Sequence, residues 1–260
     1  MKYYLKYKRY NEYSILIEWP AVIDEYILIN IINFKNNIEN SCIELLVEVN
    51  STYNSILVIY DCTIEDVNGK INELKRIYTY LSDANLSSTY LWEIPVCYNE
   101  EFAIDLDHLS DRLKLSKSEI ITRHSQQIYT IYFLGFLPGF LYLGGLDKLL
   151  QCDRKSTPEL NIKKGAVGIG GNQTGVYPKN SPGGWHIIGN SPIQFFDAKR
   201  CNPCFAKAGD KIKFVPIEKQ KYNEIINAIA LNTYSLKRKL LKYRLSFIKK
   251  NKKALKELNR

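Results

Sequence analysis

The chain has 260 residues, 45% hydrophobic and 24% charged, an ordinary globular mixture with enough apolar content for one large core or two small ones. That composition excludes a chain disordered throughout, a collagen, and a small disulfide-stapled scaffold. The net charge of +9 is uneven: residues 1–217 carry 23 Lys+Arg against 24 Asp+Glu, whereas residues 218–260 carry 13 against 3. The body is near neutral and the basicity is a C-terminal appendage, so the overall charge gives no ground for a nucleic-acid binder.

The first hundred residues alternate between strand and helix signals. Ser14 to Trp19 reads as a short strand ended by Pro20, and Ile23, Ile27, Leu28, Ile31, Ile32 and Ile38 recur at helical spacing. Cys42–Val49 and Ile56–Tyr60 read as a hairpin about a polar turn. Ile64, Val67, Ile71, Leu74, Tyr78 and Leu81 then line one helix face, with Thr63 as the expected N-cap. Leu91 to Tyr98 is a further strand. The resulting order, βαββαβ, is that of a ferredoxin-like α/β sandwich. A boundary is expected between residues 90 and 105.

Leu106, Leu109 and Leu113 mark a short helix, and Ser116 with Glu119 forms a capping box that opens another, through Ile120, Ile121 and His124. The pattern then changes. Most of the 14 glycines lie between residues 135 and 189, and short β-rich runs alternate with turns: 128–133, 166–169, 185–188, 193–196 and 212–216. Many short strands with dense turns predict a barrel or a sandwich. Residues 125–146 carry no charge and are long enough to span a bilayer, but Gly135, Pro138, Gly139, Gly144 and Gly145 interrupt them. A buried strand and a tight turn are expected there, with no membrane span. From Tyr222 onward Leu236, Leu240, Tyr243 and Phe247 form a helical stripe flanked by Lys and Arg. This layout gives an α/β domain over 1–92, a β domain over 93–217 and a basic helical extension over 218–260.

Several chemistries are disfavoured. There is no Walker phosphate loop, and Gly168–Gly175 does not open a helix, so hairpin glycines explain it better than a dinucleotide site. Cys201-Asn-Pro-Cys204 lacks a second ligand pair, and His108, His124 and His186 have no metal-ligand spacing, so no metal is expected. The six cysteines show no framework spacing and MKYYLKYKRY lacks the apolar run of a signal peptide. A cytoplasmic protein with free thiols is the expectation.

What remains is a constellation around the glycine-rich region. Arg154 can grip a carboxylate through a bidentate pair, and Gln173 offers the donor and acceptor that match an amide or lactam edge. Thr174 and Tyr177 share its turn, Ser181, Pro182, Gly183, Gly184 and Trp185 form the next, and His124 can move a proton near neutral pH. The same residues also fit a plainer account: a helix-end histidine, turn glycines, a core tryptophan and a solvated arginine.

Three motifs carry a resemblance. Phe133–Asp147 (FLGFLPGFLYLGGLD), Gly165–Pro178 (GAVGIGGNQTGVYP) and Ser181–Gly189 (SPGGWHIIG) are similar to the signature of the 5-oxoprolinase B-subunit family, which includes PxpB, the kinase inhibitor KipI and allophanate hydrolase subunit 1. The resemblance implies an N-terminal α/β domain, a C-terminal cyclophilin-like β-barrel, and work in a complex. A-like and C-like 5-oxoprolinase partners would complete the ATP-dependent opening of 5-oxoproline to glutamate, with ATP handled at the level of the complex. It implies His124 and Arg154 as catalytic residues. It also implies Gln173, Thr174, Tyr177, Ser181, Pro182, Gly183, Gly184 and Trp185 as substrate-binding, with Gly135, Pro138 and Gly139 in the matching turn. On this basis Arg154 and Gln173 would hold the carboxylate and lactam, and His124 would orient or protonate. Asn99-Glu100, Glu159 and Lys163-Lys164 depart from the family pattern. The resemblance also admits an inhibitor of a sensor histidine kinase and a component of an allophanate hydrolase. The basic extension is compatible with a docked helix or with an acidic partner, anionic lipid or RNA.

Overall fold

The computed structural model describes residues 2–81 and 88–241. It is a mixed α+β protein dominated by two sheets. The N-terminal part runs β1 (Lys6–Asn11), β2 (Ser14–Glu18), α1 (Glu25–Glu39), β3 (Leu46–Ser51), β4 (Ser55–Tyr60) and α2 (Val67–Thr79). Its strands form an antiparallel sheet in the order β1-β2-β4-β3. In β4, Ile56, Val58 and Tyr60 are buried and the residues between them are half-buried, the alternation of a strand with one covered face. The helix α1 lays Ile27, Ile31, Phe34 and Ile38 on that face, and its first turn is capped by Asp24, whose carboxylate accepts from the Tyr26 and Ile27 amides. Asp66 caps α2, not the expected Thr63: its carboxylate accepts from Gly69 N at 2.8 Å.

The expected βαββαβ order is corrected to ββαββα. The strand over 91–98 does not return to the first sheet. It is β5 (Thr89–Val96), and it joins the second one. At an edge of the first sheet stands β1 instead. Most of its side chains are exposed, so it shows no apolar alternation by which sequence could announce it. It forms because Asn11 closes a tight turn, its side chain accepting from Tyr13 N and Ser14 Oγ.

The second part continues with α3 (Leu106–Leu113), α4 (Lys117–Gln126), β6 (Tyr129–Leu134), β7 (Leu141–Gly144), a 3₁₀ turn (Lys148–Leu150), β8 (Glu159–Ile162), β9 (Ala166–Gly170), β10 (Gln173–Val176), β11 (Ser181–Gly183), β12 (His186–Asn190), β13 (Lys211–Pro216), α5 (Lys219–Ala230) and β14 (Arg238–Leu241). Eight strands make one sheet, ordered β12-β9-β10-β7-β6-β13-β5-β14, and β8 with β11 makes a separate ribbon. Among the described residues this sheet does not close as a continuous ladder. An antiparallel bridge, Cys97 to Asn190, ties the end of β5 to the end of β12. The capping serine is as expected: Ser116 Oγ accepts from Glu119 N. The run 193–196 is not a strand. It follows Pro192 and pairs with no described strand, although Ile193 and Phe195 are buried in the core.

The extension also departs from expectation. Its helix stops at Ala230, with Asn232 in a left-handed conformation. Leu240, expected on a helical stripe, lies in β14, which pairs antiparallel with β5 and so covers that strand's open edge. Leu236 packs beside the core just before it. Arg238 sits over the rings of Tyr90 and Trp92 at 4.5 and 5.3 Å. The remaining members of the expected stripe, Tyr243 and Phe247, lie outside the described residues.

The uncharged stretch 125–146 is divided between the end of α4, β6, a tight turn and β7, and no helix among the described residues is long and apolar enough to cross a membrane. The two parts meet beside β6 and β13. Glu25 of α1 bonds Lys211 and Thr130 there. Burial pushes the Glu25 carboxyl up, but those two partners outweigh it and the net shift is downward.

Candidate functional site

The expected constellation separates onto two faces of one sheet. Residues opposite each other in an antiparallel ladder share a face, and successive residues alternate. Gln173 pairs with Gly170 and Gly175 with Gly168, so these four share a face with Tyr177, while Thr174 points to the other side with Val176.

The inner face holds His124. It has no exposed surface, and it stacks on Phe214 at 4.6 Å. Its Nδ1 lies 2.8 Å from Tyr98 Oη and its Nε2 lies 2.9 Å from Thr174 Oγ1. Thr174 Oγ1 donates its hydrogen to Gly168 O at 2.8 Å, so it accepts from His124 Nε2–H. The donors then run in one direction: Tyr98 O–H to Nδ1, Nε2–H to Thr174, Thr174 to the Gly168 carbonyl. Burial lowers the imidazole pKa to about 3, so the ring is neutral at physiological pH. With both nitrogens occupied and no accessible surface, His124 does not fit the expected acid–base role. It and Thr174 tie α4 to the β9–β10 hairpin.

The outer face holds an aromatic wall. Trp185 lies across the β9–β10 hairpin, and this explains three of its glycines. A Cβ on Gly170 would come within 2.5 Å of the indole, and Cβ atoms on Gly168 and Gly175 within 3.1 Å of the Trp185 side chain, with the Leu141 carbonyl nearer still to Gly175, at 2.8 Å. Gly171, at φ +64° in the turn, is instead required by backbone conformation. This loop is a hairpin and not the strand-to-helix turn of a dinucleotide site. Phe140, Tyr142 and Tyr177 stand edge-on to Trp185 at 5.5, 6.3 and 6.5 Å. Gly183 is needed because a Cβ there would meet Tyr177 Oη at 2.3 Å.

Arg154 completes this face. Its guanidinium sits over the Trp185 ring at 5.7 Å, the side chain is exposed, and among the described residues it pairs with no carboxylate. Its neighbours are pinned on both sides. Lys155 N donates to Gly184 O at 2.7 Å, and His186 Nε2 donates to Asp153 O at 3.0 Å. Lys155 Nζ pairs with Asp105 at 2.7 Å, and the other Asp105 oxygen accepts from Ile187 N. The backbone is thus anchored while the guanidinium stays free to meet an anion.

The positive charge bears on three phenols. Burial raises the pKa of Tyr53, Tyr142 and Tyr177, the last to about 12, and Arg154 opposes the rise in each. Gln173 emerges on the same face with its Oε1 buried and without a hydrogen-bond partner. Ser181 Oγ is likewise buried and unpartnered, Pro182 is exposed, and Gly184 lies beside Arg154. Gly135, Pro138 and Gly139 form the turn before β7, where Leu137 N bonds Gly135 O about Phe136 at φ +64°. Of the departures from the family pattern, Glu159 lies opposite Gly183 in the β8–β11 ribbon, and Glu100 pairs with Lys117.

Arg154, Gln173, Tyr177 and Trp185 therefore share one face, and His124 and Thr174 lie on the other. Sequence reasoning misses Tyr53, Tyr142 and Asp105. Tyr142 stands inside the 133–147 motif, and its i+2 relation to Phe140 is the available signal. Tyr53 arrives from the other sheet, and nothing local announces it.

The chain is similar to known proteins. Residues 5–206 match the family described as carboxyltransferase domain, subdomain C and D. The chain belongs to that family. It is 38% identical over 170 residues to the B subunit of 5-oxoprolinase from Haemophilus influenzae, covering 65% of this chain and 79% of that protein. It is 46% identical over 131 residues to the Bacillus subtilis protein of the same name, covering 50% of this chain and 55% of that one. The chain thus spans little more than half the length of the Bacillus relative. Among solved structures, Kluyveromyces lactis urea carboxylase superposes over 97% of this chain and 26% of its own, with a TM-score of 0.79 at 16% identity, a likeness of fold alone. TTHA0988 superposes with a TM-score of 0.69 at 27% identity, over 79% of this chain and 40% of that one. The resemblance carried by residues 133–147, 165–178 and 181–189 holds.

Proposed function

We propose that this chain is the B-type component of a multi-subunit 5-oxoprolinase, opening 5-oxoproline to glutamate with ATP and with A-like and C-like partners. The observation that carries the reading is the outer face: a guanidinium without a described carboxylate partner, held over an indole, on the same sheet face as an unpartnered glutamine carboxamide oxygen. 5-Oxoproline presents a carboxylate and a lactam on a small ring. Arg154 would bind the carboxylate, Gln173 would meet the lactam, and Trp185, Phe140 and Tyr142 would enclose the ring. No nucleotide step is assigned to residues of this chain. The finer family expectation for the second part, a cyclophilin-like fold, belongs to the same proposal.

The test is ATP-dependent glutamate release from 5-oxoproline by the A-like and C-like proteins of the same source, with and without this chain. Activity only in its presence is the expected result. An assembled complex that releases no glutamate would overturn the reading.

A further inference from the structure

Tyr53, in the turn between β3 and β4 of the first sheet, enters the aromatic wall of the second. Its ring lies 5.0 Å from both Tyr132 and Phe133 and 6.3 Å from Tyr142. Tyr142 in turn reaches Trp185, over which Arg154 is held, so the contacts from Tyr53 to the guanidinium are continuous. Packing alone would be served by phenylalanine. Yet Tyr53 Oη is buried and has no hydrogen-bond partner, and a buried unpaired hydroxyl is destabilising. Gln173 Oε1 on the same face is in the same condition. Tyr53 lies close enough to Arg154 to feel its charge, so an unpaired donor and a cation without a described carboxylate are both offered to an oxygen of a small acid, while the Gln173 acceptor would take an N–H of the same molecule.

We propose that Tyr53 is a substrate-binding residue supplied by the N-terminal part, donating its hydroxyl hydrogen to an oxygen of the bound acid, so that the site is built across the junction between the two sheets. This rests on the reading of the outer face as the 5-oxoproline site. It assigns the N-terminal part a direct role in recognition. The phenol stays protonated across the working pH range because burial holds its pKa above the ordinary value of 10, so it remains a donor.

The test measures equilibrium binding of 5-oxoproline to the assembled complex without ATP, alongside steady-state kinetics with ATP. Tyr53→Phe keeps the ring and removes the donor. Tyr60→Phe is the control, because its hydroxyl is also buried and unpartnered but lies in the N-terminal core. The expected result is about tenfold weaker binding, and a KM raised by a similar factor, for Tyr53→Phe, with kcat changed less than about twofold and Tyr60→Phe like the parent. Binding unchanged in Tyr53→Phe would overturn the inference while leaving the 5-oxoprolinase reading intact. Binding that weakens in Tyr53→Phe from a complex that releases no glutamate would support the inference and overturn that reading. Failure of the parent complex to bind 5-oxoproline would overturn both.

Discussion

The inner and outer faces of the β9–β10 hairpin treat their polar groups differently around His124 and Arg154. On the inner face Tyr98, His124, Thr174 and the Gly168 carbonyl pass hydrogens along one fully paired chain, although His186 Nδ1, on the same face, is buried without a partner. On the outer face polar groups are left open: Arg154 pairs with no described carboxylate, and Gln173 Oε1 and Tyr53 Oη have no partner. Satisfied buried groups specify a fold, whereas unsatisfied convergent ones are what a ligand site retains. Gln173 and Thr174 are adjacent in sequence, yet the pleat assigns one to each regime.

The largest expected effect on stability tests the inner face. His124→Ala leaves Tyr98 Oη and Thr174 Oγ1 short of a partner around a new cavity, and should lower unfolding stability by about 3 kcal/mol in urea titrations. A change below about 1 kcal/mol would mean that the inner network does not hold the hairpin. Next comes the adjacent pair. Thr174→Val should cost about 1.5 kcal/mol of stability and leave the KM of the folded complex alone. Gln173→Ala should raise KM about tenfold and leave the unfolding midpoint nearly unchanged. Equal effects of both substitutions on both quantities would erase the distinction between faces.

The burial of His124 also sets a dependence on pH. The unfolded chain binds a proton at His124 below the ordinary value of 6.5, but the folded protein excludes it down to about 3. Between those values the unfolded state carries more protons, so stability falls as pH falls. The residue's contribution is complete above pH 6.5 and is lost at up to about 1.4 kcal/mol per pH unit below it. His124→Gln should flatten that limb in denaturation curves taken from about pH 7 to about pH 4. If His124 were instead the proton donor in turnover, the substitution would move the pH–rate profile, and the burial of its ring predicts that it does not.

Local pattern makes much of this legible. The α1 stripe, the Ser116 cap and the strands near 129–134, 166–170 and 211–216 follow from apolar spacing and turn residues. What local pattern does not reveal is pairing. β1 is mostly solvent-exposed and exists because β2 offers it an edge, and β5 leaves the first sheet because β13 and β14 flank it in the second. Leu236 and Leu240 have helical spacing, but Asn232 ends the helix and the open edge of β5 captures the chain as a strand. At the site, residue chemistry points to Arg154, Gln173, Tyr177 and Trp185 but places His124 among them, because burial on the far face leaves no mark on sequence. The glycines at 168, 170 and 175 read as turn formers, and the demand for them comes from the bulk of Trp185 at 168 and 170 and first from the Leu141 carbonyl at 175.

The central claim, that the outer face binds the substrate carboxylate, is tested most directly by kcat/KM for 5-oxoproline in the assembled complex carrying Arg154→Ala, with the urea midpoint of the same variant. Arg154 is exposed and its backbone is anchored by its neighbours, so the fold should be unaffected to within about 0.5 kcal/mol. The expected result is a loss of about 100-fold or more in kcat/KM from removing the charge that binds the carboxylate. Parent-like kcat/KM in a stably folded Arg154→Ala complex would contradict it.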